Sequence, residues 1–157
     1  MIVNFDKCFD IVVGHEGAYS NDAQDPGGET MWGITRRDHP GAWLEGRPTI
    51  EQAREIYRKQ YWLPAGCNEL PDGYDLVVFD SAINQGVKPA SMMLQSALRV
   101  TIDGDVGPQT VAAALASGRE GLALTLAERA LRYSQTRGFD RFGKGWLKRT
   151  YLIAMET

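Results

Sequence analysis

Cysteine and histidine are scarce in this chain, with two of each in 157 residues, and that scarcity removes several function classes at once. Cys8 and Cys67 are too few for a disulfide scaffold, and whether they form a single bridge depends on a separation that sequence does not give. Together with His15 and His39 they show no metal-ligand spacing, so no zinc site is expected and no cofactor is implied. Long apolar runs are also missing. The first twenty residues include Asp6, Lys7, Asp10, His15 and Glu16, so the segment reads neither as a secretory signal nor as a membrane span. The expectation is a protein made in the cytosol and not inserted in a membrane. Internal repeats, low-complexity tracts and a linker long enough to divide two domains are absent too.

A strong positive charge is likewise wanting. The net charge is −3, which argues against a dedicated nucleic-acid binder. The charge is uneven, however. Residues 119–157 hold eight Lys and Arg against four Asp and Glu, leaving nine against sixteen upstream. The basic stretch from Arg137 to Arg149 is either a solvated helix face or a surface that attracts an anionic polymer.

What the chain does have is the balance of an ordinary globule, 43% hydrophobic and 24% charged, in a length that fits one domain and a monomer. Phe5, Cys8, Phe9, Val12 and Val13 recur at the spacing of one helix face, so residues 4–16 read as amphipathic, ending near Gly14 and Gly17. Turn formers from Asn21 to Gly28 predict a loop, closing into a short strand or hairpin around Met31 to Thr35. Thr49 and Gln52 form a capping box ahead of a helix reaching Trp62, where Pro64 stops it. Another helix carries Leu76, Phe79, Asp80 and Ile83 and ends at Gly86; Pro89 opens the next, with Met93, Leu94, Ala97 and Leu98. Gly107 and Pro108 start a short helix through Leu115. Ser117 and Glu120 resemble a second capping box before an apolar segment, residues 122–131, expected to be the central buried helix. The last helix is expected over residues 146–155 with Leu147, Tyr151 and Ala154 on one face. The fold class is mainly α, with a small irregular or β-hairpin lobe near the N-terminus.

Glu16 lies on the apolar stripe of the first helix, at its C-terminal end. Burial and the negative end of the helix dipole both favour the protonated carboxyl, the form required to donate a proton to a departing alkoxide when a glycosidic bond breaks. The periodicity alone allows a second role, a bond to the turn at residues 17–21 or to an arginine. Asp22 and Asp25 follow on the turn-rich segment, where one of them either faces the acid across a cleft or simply forms the turn. Asp80 sits on the apolar stripe of its helix beside Asn84, and a buried Asp needs hydrogen-bond partners, whether a neighbouring loop or a substrate. Asn84 and Gln85 offer amides suited to N-acetyl sugars. Tyr19, Trp32 and Tyr61 are either core aromatics or platforms for sugar faces. The stretch from Asp103 to Thr110, DGDVGPQT, places its glycine one position early for an EF-hand and reads as a turn that starts a helix.

His15-Glu16-Gly17-Ala18-Tyr19, then Asn21-Asp22, Asp25-Pro26-Gly27-Gly28-Glu29-Thr30 and Trp32-Gly33-Ile34-Thr35, closely resemble the N-terminal signature of the EGGY-motif N-acetylmuramidases, glycoside hydrolase family 108. Ala18 replaces the usual second glycine. Residues 79–86, FDSAINQG, and 142–149, FGKGWLKR, resemble that family's mid-chain and C-terminal helices. The resemblance implies a lysozyme-like helical domain over residues 1–157, with a catalytic half in 1–87 and a helical half in 88–157 similar to a peptidoglycan-binding region. It implies an endolysin or lysozyme hydrolysing the β-1,4 bond between N-acetylmuramic acid and N-acetylglucosamine, with Glu16 as general acid. By analogy with phage lysozymes, Asp25 and Thr30 complete the site, with Asp22 or Thr35 as alternatives, and Tyr19, Trp32, Asp80, Asn84 and Gln85 contact the glycan. The implied partners are peptidoglycan strands and a holin-type pore giving access to the wall. A lytic transglycosylase and a non-catalytic peptidoglycan-binding or secretion-accessory protein are the alternatives.

Overall fold

The computed structural model describes residues 2–16, 18–21 and 28–157. Helix α1 (Ile2–Glu16) buries Phe5, Cys8, Phe9, Val12 and Val13, the stripe read from the sequence. Strands β1 (Tyr19–Ser20), β2 (Thr30–Met31) and β3 (Ile34–Thr35) form a three-stranded antiparallel sheet in that order. The β2–β3 turn is Trp32–Gly33, both with positive φ (53° and 76°), the conformation that matches the twist of a two-residue hairpin. Helix α2 (Ile50–Tyr57) opens on a complete capping box: the Gln52 backbone N–H donates to Thr49 Oγ1 at 3.2 Å, and the Thr49 N–H donates to Gln52 Oε1 at 2.8 Å. It continues as one wider π turn through Trp62 before Pro64.

Helices α3 (Tyr74–Gln85) and α4 (Val87–Leu98) meet at Gly86, whose φ of 97° turns the chain between them. Helix α3 is the centre of the molecule, with every residue from Tyr74 to Ala82 buried. Its aromatic neighbours interlock edge to face: Phe79 sits 5.3 Å from Trp62, 5.8 Å from Phe5 and 6.2 Å from Tyr57, ring centre to ring centre. The arrangement is the mainly helical, lysozyme-like one with a small β lobe that the sequence predicts.

Helices α5 (Pro108–Ser134) and α6 (Phe139–Met155) complete the fold and correct two expectations. The two helices predicted around Ser117 both lie within α5 and are separated at Gly118, whose φ of 51° and ψ of −137° leave the helical region; its carbonyl accepts a 2.7 Å bond from the Tyr74 hydroxyl. The apolar segment 122–131 is not the central helix. Leu124 and Leu131 are exposed, and the buried stripe runs through Leu122, Thr125, Arg129 and Tyr133 instead. Helix α6 starts seven residues before the predicted Trp146 and buries Gly143, Thr150 and Ile153, while Tyr151 is 67% exposed. Gly143 explains the misreading: a Cβ there would lie 2.6 Å from the Phe139 ring, so a residue that weakens a helix is needed for close packing.

Cys8 and Cys67 are both free thiols in the core. Burial pushes the ionisation of both upward, which makes them inert packing residues.

Candidate functional site

The N-terminal lobe brings together the end of α1 and the small sheet. Glu16 is the last residue of α1. Asp22 and Asp25 lie outside the described residues. In the sheet, Ser20 pairs with Thr30, and Thr30 pairs with Thr35, so three hydroxyl side chains form a row across one face. The row on the other face is Tyr19, Met31 and Ile34, of which Ile34 is buried in the core. Thr30 and Thr35, weighed as alternatives in the sequence, are therefore direct cross-strand neighbours. Ser20 is a third hydroxyl that sequence reasoning missed, because only the strand register reveals it.

The hydroxyls are not equally available. Thr35 Oγ1 donates to Asp38 Oδ2 at 2.8 Å and accepts from the Asp38 N–H at 3.1 Å, which fixes it in a turn. Among the described residues, Thr30 Oγ1 makes only a 3.4 Å contact with the Gly28 carbonyl. Of the two, Thr30 is the freer to meet a ligand or a water.

Tyr19 and Trp32 are held in different ways. The Tyr19 hydroxyl donates to Glu29 Oε1 at 3.1 Å, and the Arg47 guanidinium lies 3.7 Å over the ring, so one ring face is already covered. Glu29 also accepts from Arg36 at 2.8 Å, and the Arg36 and Tyr19 bonds hold its carboxyl below the usual range. Trp32 takes a left-handed backbone conformation rare for a bulky residue. Its N–H donates to the Ala18 carbonyl at 2.8 Å and its carbonyl accepts from the Tyr57 hydroxyl at 3.1 Å, which clamps it from both sides. Its indole Nε1 is buried without a partner among the described residues. Strain of this kind costs about 1–3 kcal/mol and clusters at functional sites.

The other candidates come from α3. Asp80 is fully buried: its Oδ2 lies 2.5 Å from Arg129 Nη2 of α5, and its Oδ1 accepts from Arg149 Nη2 and Nε of α6 at 2.6 and 2.9 Å. This carboxylate ties three helices together behind the surface. One turn on, Asn84 is exposed and its Nδ2 donates to the Asp80 carbonyl at 2.7 Å. Gln85 ends the helix half-buried, with both amide atoms out of contact with solvent and unpartnered among the described residues. Asn84 and Gln85 line a pocket of about 220 Å³ with Arg132, Tyr133, Thr136 and Trp146. Composition gave no sign of the last four as a set; only Trp146 lies in a stretch singled out beforehand.

Among the described residues no group of three or more His, Cys, Asp or Glu is placed to hold a metal ion, and no helix is long and apolar enough to cross a membrane. The DGDVGPQT stretch is a turn wired to the core. Gln95 donates to Asp103 Oδ1 at 2.7 Å and the Asp105 carbonyl at 2.9 Å, and accepts from the N–H groups of Asp103 and Gly104 at 3.1 and 2.8 Å.

Over residues 9–86 the chain matches the family described as glycosyl hydrolase 108. The solved structure of Brucella abortus SagA is similar to it along nearly its whole length, with a TM-score of 0.85 at 30% identity, covering 99% of this chain and 94% of that one. The chain belongs to the glycosyl hydrolase 108 family. No curated protein matches it. The stretch matched to the glycosyl hydrolase model runs from α1 through the sheet to Gly86 and so contains Glu16, the hydroxyl row, Trp32 and the Asn84–Gln85 end of α3. Helices α5 and α6 lie beyond it and supply Arg132, Tyr133 and Trp146 to the pocket beside Gln85. A glycoside hydrolase of this class needs a proton donor and a polar surface for sugar, and that one stretch holds residues suited to both.

Proposed function

We propose that this glycosyl hydrolase cleaves the β-1,4 bond between N-acetylmuramic acid and N-acetylglucosamine in bacterial peptidoglycan, with Glu16 as the general acid. The observation that carries the proposal is the position of Glu16 as the final residue of α1 within the stretch matched to the family. A carboxyl at the C-terminal end of a helix meets the negative end of the dipole, which favours the protonated form that must reach the leaving oxygen.

In this reading Glu16 protonates the bridging oxygen, and Asp22 or Asp25 stabilises the oxocarbenium-like state or activates water. Thr30 positions the water, since Thr35 is committed to Asp38. Trp32, Asn84 and Gln85 meet the glycan. Tyr19 contributes its free ring face. Asp80 acts behind them through its two arginines. Residues 1–87 then carry the chemistry and residues 88–157 contribute contacts to the wall.

Mass spectrometry of the fragments released from purified sacculi tests the bond and the reaction. The expected products carry N-acetylmuramic acid at a hydrated reducing end. An anhydro-muramic end would make the protein a lytic transglycosylase, and an N-acetylglucosamine reducing end would move the cut to the other bond.

A further inference from the structure

Helix α6 shows the solvent a face that its own packing does not explain. Its buried residues Gly143, Thr150 and Ile153 set the inward side, and Trp146 stacks on Tyr133 of α5 with ring centres 5.2 Å apart. At 3.6 residues per turn the opposite side carries Arg141, Lys144, Lys148, Leu152 and Met155, with Tyr151 at its edge. Tyr151 is 67% and Met155 80% exposed, and Leu152 is half-buried.

The face is divided along its length. Arg141, Lys144 and Lys148 hold the first part and Tyr151, Leu152 and Met155 the last, over about 21 Å of helix. All three cations are exposed and form no ion pair among the described residues; Arg141 rests 5.0 Å from the centre of the Phe142 ring. Local chemistry does not favour them: Arg141 sits in the first turn, where the helix dipole prefers an anion, and Lys144 and Lys148 are like charges one turn apart. The two lysines, Leu147, Tyr151 and Leu152 line a hollow of about 660 Å³. Asp140 is the only acidic side chain lining it among the described residues, and Glu156 follows at the far end of the helix. A solvated face accounts for the cations but not for Tyr151 and Met155. A hydrophilic polyanion would likewise use the cations alone.

We infer that this face docks the protein on a membrane surface rich in anionic lipid. Arg141, Lys144 and Lys148 meet the headgroup phosphates, and Tyr151, Leu152 and Met155 sit at the boundary with the acyl chains. A helix face that combines cations with apolar side chains is suited to lie in the plane of such an interface. The lysine stems run along the apolar surface while their ammonium groups stay at the phosphate level, and a tyrosine ring with its hydroxyl matches the same depth. The inward side of α6 keeps its packing on α5, so docking requires no unfolding. Each cation close to an anionic bilayer is worth about fivefold in binding, so three together give roughly a hundredfold preference over a neutral one. The inference goes beyond the proposed hydrolysis and uses none of its residues.

Flotation of the full chain with vesicles tests it. Vesicles of equal parts phosphatidylglycerol and phosphatidylcholine should carry the wild-type protein at low salt, and pure phosphatidylcholine vesicles should not. Equal binding to both, or none to the anionic vesicles, overturns the inference. Lys144→Gln with Lys148→Gln should weaken binding by about tenfold or more. Tyr151→Ser with Met155→Ser should do the same with every cation in place, because the apolar contact is lost. All four side chains are exposed, so both variants should melt close to wild type. Unchanged binding by either folded variant overturns the inference; if only the lysine pair matters and soluble polyphosphate displaces the protein, the face is a general polyanion site instead. Tyr151→Trp gives a readout that needs neither pair to fold. Its added emission should shift to the blue on anionic vesicles and be quenched by brominated acyl chains, and unquenched emission from vesicle-bound protein places the contact elsewhere and overturns the assignment.

Discussion

Asp80→Ala should destabilise this protein more than an ordinary core truncation. Asp80 and Arg129 are each 0% exposed and Arg149 only 16%, and the one carboxylate serves both guanidinium groups at 2.5 and 2.6 Å. Arg129 has little else: its Nη2 also reaches the Tyr133 hydroxyl at 3.2 Å, and its Nε and Nη1 have no partner. Removing Asp80 leaves a guanidinium in the core without a counter-charge, and breaking a buried pair from one side costs about 3–5 kcal/mol. At roughly 2–4 °C per kcal/mol for a chain of this size, the melting temperature should fall by roughly 6–20 °C. Replacing both partners with apolar residues, Asp80→Leu with Arg129→Met, should cost clearly less than the sum of the two single changes, because no guanidinium is then stranded in the fully buried position and the partly exposed Arg149 keeps access to water. Urea and thermal unfolding of the four proteins of the cycle measure this. A loss below about 1 kcal/mol for Asp80→Ala, or strict additivity of the pair, would refute the view that this carboxylate neutralises buried cations.

Two further changes probe other parts of the fold. Gln95→Met should cost roughly 2–3 kcal/mol, because it removes the four hydrogen bonds by which Gln95 holds the turn at residues 103–105 and partly exposed groups must turn to water; faster amide exchange confined to that turn is the expected signature, and unchanged protection would contradict it. Asp75 bears on pH: burial raises its ionisation above the ordinary 3.8, outweighing its bonds from the Leu76 N–H and Asn4. A carboxyl with a raised folded value contributes most at acid pH, and its contribution falls as pH climbs from 3.8 through the folded value. The melting temperature of Asp75→Asn relative to wild type should accordingly improve as pH rises through that window. A pH-independent difference would sink the assignment.

Features carried by local chemistry were readable from the residues. The α1 stripe, the Thr49–Gln52 capping box and the hairpin near Thr35 all depend on neighbours a few positions apart. Asp80 shows where that stops. Its place on an apolar stripe announces a buried carboxylate in need of partners, but Arg129 and Arg149 lie on two later helices, and only the packed structure joins them. The same packing explains the error over α5: its buried stripe includes Arg129, which belongs inside because Asp80 waits there, and Thr125, whose hydroxyl donates to the Gly121 carbonyl of its own helix, while Leu124 and Leu131 face outward. In the candidate site, the motif marks Glu16, Thr30 and Thr35, whereas the hydroxyl row needs the strand register and the pocket beside Gln85 needs α5 and α6 in place.

Catalysis by Glu16 is tested most directly with wild type and Glu16→Gln on purified sacculi, after circular dichroism has shown both to be folded. Glutamine preserves the shape of the side chain and cannot donate the carboxyl proton. Removing a general acid of this kind costs about 100-fold to 10,000-fold. Clearing by wild type with a loss of at least that order in Glu16→Gln is the predicted result, and equal clearing by the two proteins would contradict it.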